Sequence, residues 1–290
     1  MIFTDGTFLD LSRKFTWRNE DRRKIISFLK EELNDQSKKV LEVGCGNGII
    51  TKSFAQQALN STFIGIDIQG DLIDQARREC DLENLTYETV DFCKEEYENE
   101  YDVIYSHFLL VDCKQADKIL ENMYKALKIG GTICCFEPFY QTDGLNSYMP
   151  FLNEKEKSKL RELSRELLID IPRKNGISRD YAASIPNRFY AMRLSHIEIE
   201  IIPTYELSEK YDVYRKRFIL SQAKEIMKDR QAYREKIYTS KLYSQLTQEQ
   251  LDDYCNIQLK IVEEIVSNPK AFFSYRIFSA GSMLAIKGVR

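Results

Sequence analysis

Apolar positions in the first half of the chain alternate between short unbroken runs and stripes at helical spacing. "NEDRRKIISFLKEEL" (19–33) sets Ile25, Ile26, Leu29 and Leu33 on one stripe and predicts a helix. "KKVLEV" (38–43) predicts a buried strand, and "GIITKSFAQQAL" (48–59) predicts the helix after it. The alternation continues with a strand at "STFIGIDI" (61–68), a helix from Asp71 to Cys80, and strands at "LTYETV" (85–90) and "YDVIYSHF" (101–108). A helix from Lys114 to Leu127 meets Gly130-Gly131, which read as a stop signal. A fifth strand, "TICCFE" (132–137), ends at Pro138.

Beyond Pro138 the pattern loosens. Residues 139–152, "FYQTDGLNSYMPFL", read as an aromatic loop. A charged helix is expected at 153–169, a loop at "IPRKNG" (171–176), and a further helix to about Arg193. "HIEIEII" (196–202) alternates like a strand, 208–266 reads as helical throughout, and "SMLAIKGV" (282–289) predicts a last strand. Strands and helices in this order predict an α/β fold with a doubly wound, mostly parallel, seven-stranded sheet and a helical cap built from insertions. The expected organisation is a core over 1–137, a cap insertion and helix over 138–195, a late core strand at 196–202, a second helical cap insertion over 203–275, and a final core strand within 276–290.

Composition narrows the class. Of 290 residues, 43% are apolar, enough for a packed core, and the net charge of −3 gives no global attraction to nucleic acid or a membrane surface. No run approaches the roughly 18 apolar residues of a membrane span, and "MIFTDGTFLDLSRKF" lacks the apolar core of a signal peptide, so a cytoplasmic protein is expected. The seven cysteines are odd in number and none forms a C-x-x-C pair, which favours buried thiols over disulfides or a metal site. The sequon at Asn60-Ser61-Thr62 leads straight into a predicted strand and is set aside.

The candidate chemistry begins at "VLEVGCGNGII" (40–50), where Gly44, Gly46 and Gly48 occupy every second position between a strand and a helix. Glycine there lets the backbone turn sharply and lets a ligand lie against bare main chain. A dinucleotide loop wants G-x-G-x-x-G, but the third glycine comes one residue early and Ile49 fills its place. There is also no phosphate-loop lysine, so the ligand need not carry a phosphate. Asp67 ends the second strand nineteen residues past Gly48, where a carboxylate accepts from two ribose hydroxyls. Asp91 and Phe92 follow the third strand, offering an acceptor for an exocyclic amine and an apolar wall. Ligands of parallel sheets bind at the carboxyl ends of strands, where Glu42, Gly44, Asp67, Asp91 and His107 all fall.

"VLEVGCGNG", "FIGIDI", "YETVDF", "YDVIYSHFLL" and "YKALKIGGTICCFEP" together resemble the successive motifs of the Rossmann-like S-adenosylmethionine-dependent methyltransferases, over about 38–138. The resemblance implies S-adenosylmethionine as cofactor. Gly44, Cys45, Gly46 and Gly48 would pack against its methionine part and adenosine, with Glu42 beneath orienting the loop. It also implies Asp67 on the ribose, Ile68 beside the adenine, Asp91 and Phe92 on the adenine, and Ser106, His107 and Phe108 at the methionine end.

Methyl transfer needs the nucleophile aligned and water excluded, and a general base only when the acceptor must lose a proton. His107 is a candidate base or a pocket wall, and Glu137 a candidate for orienting an acceptor or for a structural turn. Trp17, the only tryptophan, is placed either over the sulfonium or as a staple at the first helix. Tyr140, Tyr148 and Tyr181 are candidate wall residues. The expected partner is a small-molecule acceptor methylated at O, N or C, with a homodimer left open. The alternatives are an RNA or protein methyltransferase and a non-catalytic S-adenosylmethionine-binding protein. Residues 214–241 carry nine basic against three acidic residues, which suits an acidic ligand or a solvated face.

Overall fold

A computed structural model describes residues 19–33, 37–139, 149–207, 213–240, 243–274 and 278–290. The chain divides into two compact units, one drawn from 19–141, 176–203 and 282–290, the other from 142–175 and 204–281.

The first unit is built on a seven-stranded sheet in the order β3-β2-β1-β4-β5-β7-β6. Its strands are β1 (Lys39–Val43), β2 (Thr62–Asp67), β3 (Leu85–Thr89), β4 (Tyr101–His107), β5 (Leu127–Pro138), β6 (Ser195–Leu207) and β7 (Phe278–Val289). The pairs β1–β2, β1–β4, β2–β3 and β4–β5 are parallel, and β7 runs antiparallel to β5. In the central strands apolar side chains meet helices on both faces, which is why they read as unbroken runs. Leu41, Ile104, Ile133 and Ile286 are fully buried. The helices of this unit are α1 (Asn19–Phe28), α2 (Ile49–Ala55), α3 (Gly70–Glu79) and α4 (Ala116–Ala126), joined later by α7 (Ile185–Ala191).

Three local departures from the sequence pattern have clear causes. The first helix stops at Phe28, because Lys30 N–H bonds Ser27 C=O and Leu33 N–H bonds Lys30 C=O in tighter three-residue turns. Gly130-Gly131 does not end a helix: α4 passes directly into β5, and the glycines form a bulge. Tyr101 pairs with Leu127, while Val103 pairs with Thr132. A Cβ on Gly131 would stand 2.9 Å from the Asp102 carbonyl oxygen, so the bulge needs glycine there. The expected boundary at 195 falls instead at 175, since Tyr181, Ala182, Ile185, Phe189 and Leu194 pack in the same core as Ile133 and Ile286. Tyr181 is therefore a core residue rather than a pocket wall, and its hydroxyl donates to Asp117 at 2.9 Å.

The second unit is helical. Its elements are α5 (Glu154–Arg165), running through a π-helical turn at Glu166–Asp170 into α6 (Ile171–Lys174), then α8 (Val213–Lys228), α9 (Arg230–Thr239), α10 (Gln248–Ser267) and α11 (Pro269–Ser274). The expected loop at 171–176 thus begins as helix, with Pro172 tolerated in its first turn. The stretch expected to be one helical run is broken twice, each time at a cap. Asp229 accepts from Ala232 N–H at 2.8 Å, and Thr247 forms a capping box with Gln250. Two apolar clusters hold this unit together, one around Tyr233, Tyr243 and Tyr254, the other around Ala223, Ile261 and Phe272. Among the described residues no helix is long and apolar enough to cross a membrane.

Candidate functional site

Val43 of β1 pairs with Ile66 of β2 and with Ser106 of β4, so the next residues, Gly44, Asp67 and His107, stand in one row at the carboxyl edge of the sheet. Below that row Glu42 is 1% exposed. Its carboxylate accepts from the hydroxyls of Thr51 in α2 and Tyr105 in β4, the latter at 2.9 Å. Burial pushes Glu42 up to about 7, against the opposing effect of those two hydroxyls. Glu42 thus ties the strand before the glycine loop to the helix after it through direct hydroxyl contacts.

The three glycines all have positive φ, +75° at Gly44, +55° at Gly46 and +74° at Gly48. Their surroundings differ. A Cβ on Gly44 would stand 2.7 Å from Leu109 Cδ1, and one on Gly48 would overlap the Tyr87 hydroxyl. At Gly46 the nearest atom is Leu72 Cδ1, 4.0 Å away. Only Gly46 therefore presents open main chain; its neighbours are glycine because protein side chains occupy the space. Gly44 and Cys45 N–H both donate to Ile66 C=O, at 2.8 and 2.9 Å, and fix the loop to β2. Cys45 itself is buried, and burial, with the Glu42 and Asp67 carboxylates nearby, pushes its thiol up.

Asp67 closes the loop from the other side. One carboxylate oxygen accepts Gly46 N–H and the other accepts Gln69 N–H, each at 2.9 Å. A carboxylate has about four lone-pair directions, so both oxygens keep capacity for two further donors. Next to Asp67, Ile68 is 64% exposed, and past the end of β4, Phe108 is 39% exposed. Phe108 has φ +54°, uncommon for a bulky residue, and its ring stacks on His107 at 4.4 Å. His107 is half-buried.

Other expected site residues face elsewhere. The Phe92 ring is 5% exposed and stacked on Tyr97 at 5.7 Å, so it belongs to the core and gives no open apolar wall. Asp91 accepts Cys93 N–H at 3.2 Å and pairs with Lys94 at 2.9 Å, whose ammonium holds it below the usual carboxylate range. Ser106 is fully buried, with its hydroxyl on Glu137 at 3.4 Å. Glu137 is also fully buried and accepts from the N–H groups of Leu109, Leu110 and Val111 at 3.2, 3.0 and 3.4 Å. Burial pushes it up to about 7. The structure gives Glu137 a turn to hold rather than an acceptor to touch. Trp17, Tyr140 and Tyr148 lie outside the described residues.

Two residues that hold the loop, Tyr87 and Leu109, were not singled out in the sequence. The Tyr87 hydroxyl donates to Gly48 C=O at 2.9 Å. The alternation of "LTYETV" does put Leu85 and Tyr87 on the buried face, but nothing in it says which glycine the ring meets.

Comparison with known proteins agrees with this geometry. A family profile described as a methyltransferase domain matches residues 34–166. A malonyl-[acyl-carrier protein] O-methyltransferase of Bacillus cereus is 23% identical over 158 residues, 54% of this chain and 58% of that protein. A ubiquinone biosynthesis O-methyltransferase of Hydrogenovibrio crunogenus is 30% identical over 136 residues, 44% of this chain and 54% of the relative. The chain thus spans little more than half the length of these curated relatives. Among solved structures, the Bacillus subtilis YcgJ protein superposes with a TM-score of 0.51 at 13% identity, covering 92% of this chain and 98% of its own. A phosphoethanolamine N-methyltransferase 2 of Haemonchus contortus, solved with S-adenosylhomocysteine, gives 0.50 at 16% identity over 95% of this chain and 54% of its own.

A sheet of this order, with an acid closing a glycine loop at its carboxyl edge, defines a nucleoside-binding Rossmann-like domain. Residues 34–166 are a methyltransferase domain of the Rossmann-like, S-adenosylmethionine-dependent kind. S-adenosylmethionine is its cofactor, and the residues present fit it. Open main chain at Gly46, unspent acceptor capacity on Asp67, exposed Ile68 and Phe108, and no lysine in the glycine loop suit a nucleoside without phosphate.

Proposed function

We propose that this chain transfers the methyl group of S-adenosylmethionine to a small-molecule acceptor. The observation that carries the reading is Asp67, which bridges Gly46 and Gln69 beside the one open glycine of the loop. When bound, S-adenosylmethionine supplies an electrophilic methyl on a sulfonium centre. The chain's own residues bind and orient. Asp67 takes the ribose hydroxyls, Gly46 lets the cofactor approach the main chain, and Ile68 and Phe108 give apolar cover. Alignment by such contacts is worth up to roughly 7–11 kcal/mol in model reactions.

His107 is the group assigned to take a proton from an acceptor that must lose one, since it stands in the row with Gly44 and Asp67 and is half-buried, its Nε2 turned away from solvent. Two of the named relatives are O-methyltransferases, which supports carboxylate and phenol acceptors as the first to try. The net charge of −3 supports an enzyme acting without nucleic acid.

The test is calorimetric titration with S-adenosylmethionine and, separately, NADH, followed by labelled-methyl uptake across carboxylate and phenol acceptors. Micromolar binding of the first, none of the second, and uptake by at least one acceptor is the expected result. No binding of S-adenosylmethionine removes the reading. Binding with no uptake by any acceptor favours a non-catalytic cofactor-binding protein.

A further inference from the structure

β4 leaves the sheet at His107, and the backbone turns through Phe108 at φ +54°. The three N–H groups that follow, on Leu109, Leu110 and Val111, lie past the last strand pairing, beside a buried core. Buried N–H groups must be met by acceptors, because an unmet one has given up water and gained nothing in return. All three are met by one side chain: both Glu137 carboxylate oxygens are spent on them, with Ser106 Oγ as a fourth donor.

The held turn has a direct consequence for the loop. Its first residue, Leu109, sets its methyl groups 2.7 and 3.0 Å from where a Cβ on Gly44 would stand. Gly44 is the residue at which β1 turns toward the cofactor, and its own N–H is fixed only on the other side, to β2. Leu109 is thus the wall from the β4 side against which the glycine loop rests, and Glu137 fixes where Leu109 stands.

We propose that Glu137 is a positioning residue for cofactor binding, acting from the end of β5 through Leu109 on Gly44. The proposal rests on the reading of Gly44–Gly48 as the cofactor loop. Glu137 touches neither cofactor nor acceptor. Substitutions there change affinity for S-adenosylmethionine, and so its KM, while kcat at saturation stays near wild type.

The experiment compares wild type, Glu137→Gln, Leu109→Ala and the double variant by calorimetric titration with S-adenosylmethionine. Amide hydrogen exchange over 41–50 is followed in the absence of ligand. Gln keeps the shape and one acceptor oxygen, and Leu109 is only partly buried, so the single variants fold. Each single substitution should weaken binding about tenfold, and the double variant should be no weaker than the worse single, because both cut the same link. Exchange over 41–50 should rise in all three variants, while β2 keeps its protection. Unchanged affinity and exchange in Glu137→Gln, or effects that multiply to about a hundredfold in the double variant, overturn the proposal. If wild type itself fails to bind S-adenosylmethionine, the functional reading fails, and the exchange data alone decide whether Glu137 holds the loop.

Discussion

The hydroxyl of Tyr87 donates to the carbonyl of Gly48 at 2.9 Å, and its ring fills the space that any side chain at Gly48 would need. A single residue of β3 therefore sets both the position and the identity of the last glycine in the loop. Removing only the hydroxyl, with Tyr87→Phe, leaves the Gly48 carbonyl without that donor. A net hydrogen bond is worth about 1 kcal/mol. Denaturant unfolding should show a loss of that size, and cofactor affinity should fall with it. A fully wild-type titration and unfolding curve would mean that the ring alone places the loop.

The glycines themselves separate stability from binding. Both glycines have a left-handed backbone, but Gly48→Ala also overlaps Tyr87, whereas Gly46→Ala meets open space. Backbone strain costs both variants roughly 1 kcal/mol or more, and the overlap on Tyr87 adds to it in the first. The second should lower the melting temperature less, yet abolish measurable cofactor binding, because its Cβ enters the face assigned to the cofactor. Equal thermal losses in the two variants would contradict the difference in their surroundings.

Asp67→Ala removes an acceptor for two backbone donors and for the proposed ribose contact. Hydrogen bonds to a charged group are worth about 1.5–3 kcal/mol, so S-adenosylmethionine affinity should fall roughly ten- to a hundredfold. Asp67→Asn, which keeps one acceptor oxygen, should fall between wild type and Ala. Titration calorimetry reads both, and unaltered affinity in Asp67→Ala would place the ribose elsewhere.

The strands were legible because central parallel strands are buried on both faces and write unbroken apolar runs, as in "VLEV" and "TICCFE". The row of Gly44, Asp67 and His107 was legible because each ends such a run. What sequence could not give was contact between distant segments. Nothing around Leu109 announces that it will wall off Gly44, and Glu137 looks the same whether it faces an acceptor or three backbone N–H groups. The placement of 176–195 failed for a similar reason: helical spacing shows that Ile185 and Phe189 are buried, not against which core. By contrast, the breaks at Asp229 and Thr247 had local signals, an N-cap acid and a Thr-x-x-Gln box, that the long helical pattern overrode.

Gln258 gives a test within the helical unit. It sits on the buried face of α10, fully inaccessible, and among the described residues neither its amide nitrogen nor its amide oxygen has a partner. A buried polar group without a hydrogen bond costs roughly 1–3 kcal/mol by mutational measures. Gln258→Met keeps length and flexibility and removes both orphaned atoms. The melting temperature should rise, while cofactor affinity stays the same. A lower melting temperature would show that an ordered partner, such as a buried water, satisfies the amide in solution.

Two buried carboxyls shape the response to pH. Burial raises both Glu42 and Glu137 to about 7 from an ordinary value of 4.5. Between those values the unfolded chain has released both protons while the folded chain keeps them, so the folded state binds more protons and stability falls as pH rises. The contribution is complete below about 4.5 and is lost on passing about 7. Carboxylates held low by cations act in the opposite sense but in a more acid range, as with Glu156, lowered by Lys260, and Asp91, lowered by Lys94. Calorimetric melting at pH 5.5, 6.5 and 8 should therefore show a falling midpoint in wild type. The fall should be shallower in Glu42→Gln, which cannot ionise at that site and keeps an oxygen for Thr51 and Tyr105. A midpoint that rises from pH 5.5 to 8 would mean that these carboxyls are ionised in the folded protein, and that Thr51, Tyr105 and the Leu109–Val111 amides outweigh their burial.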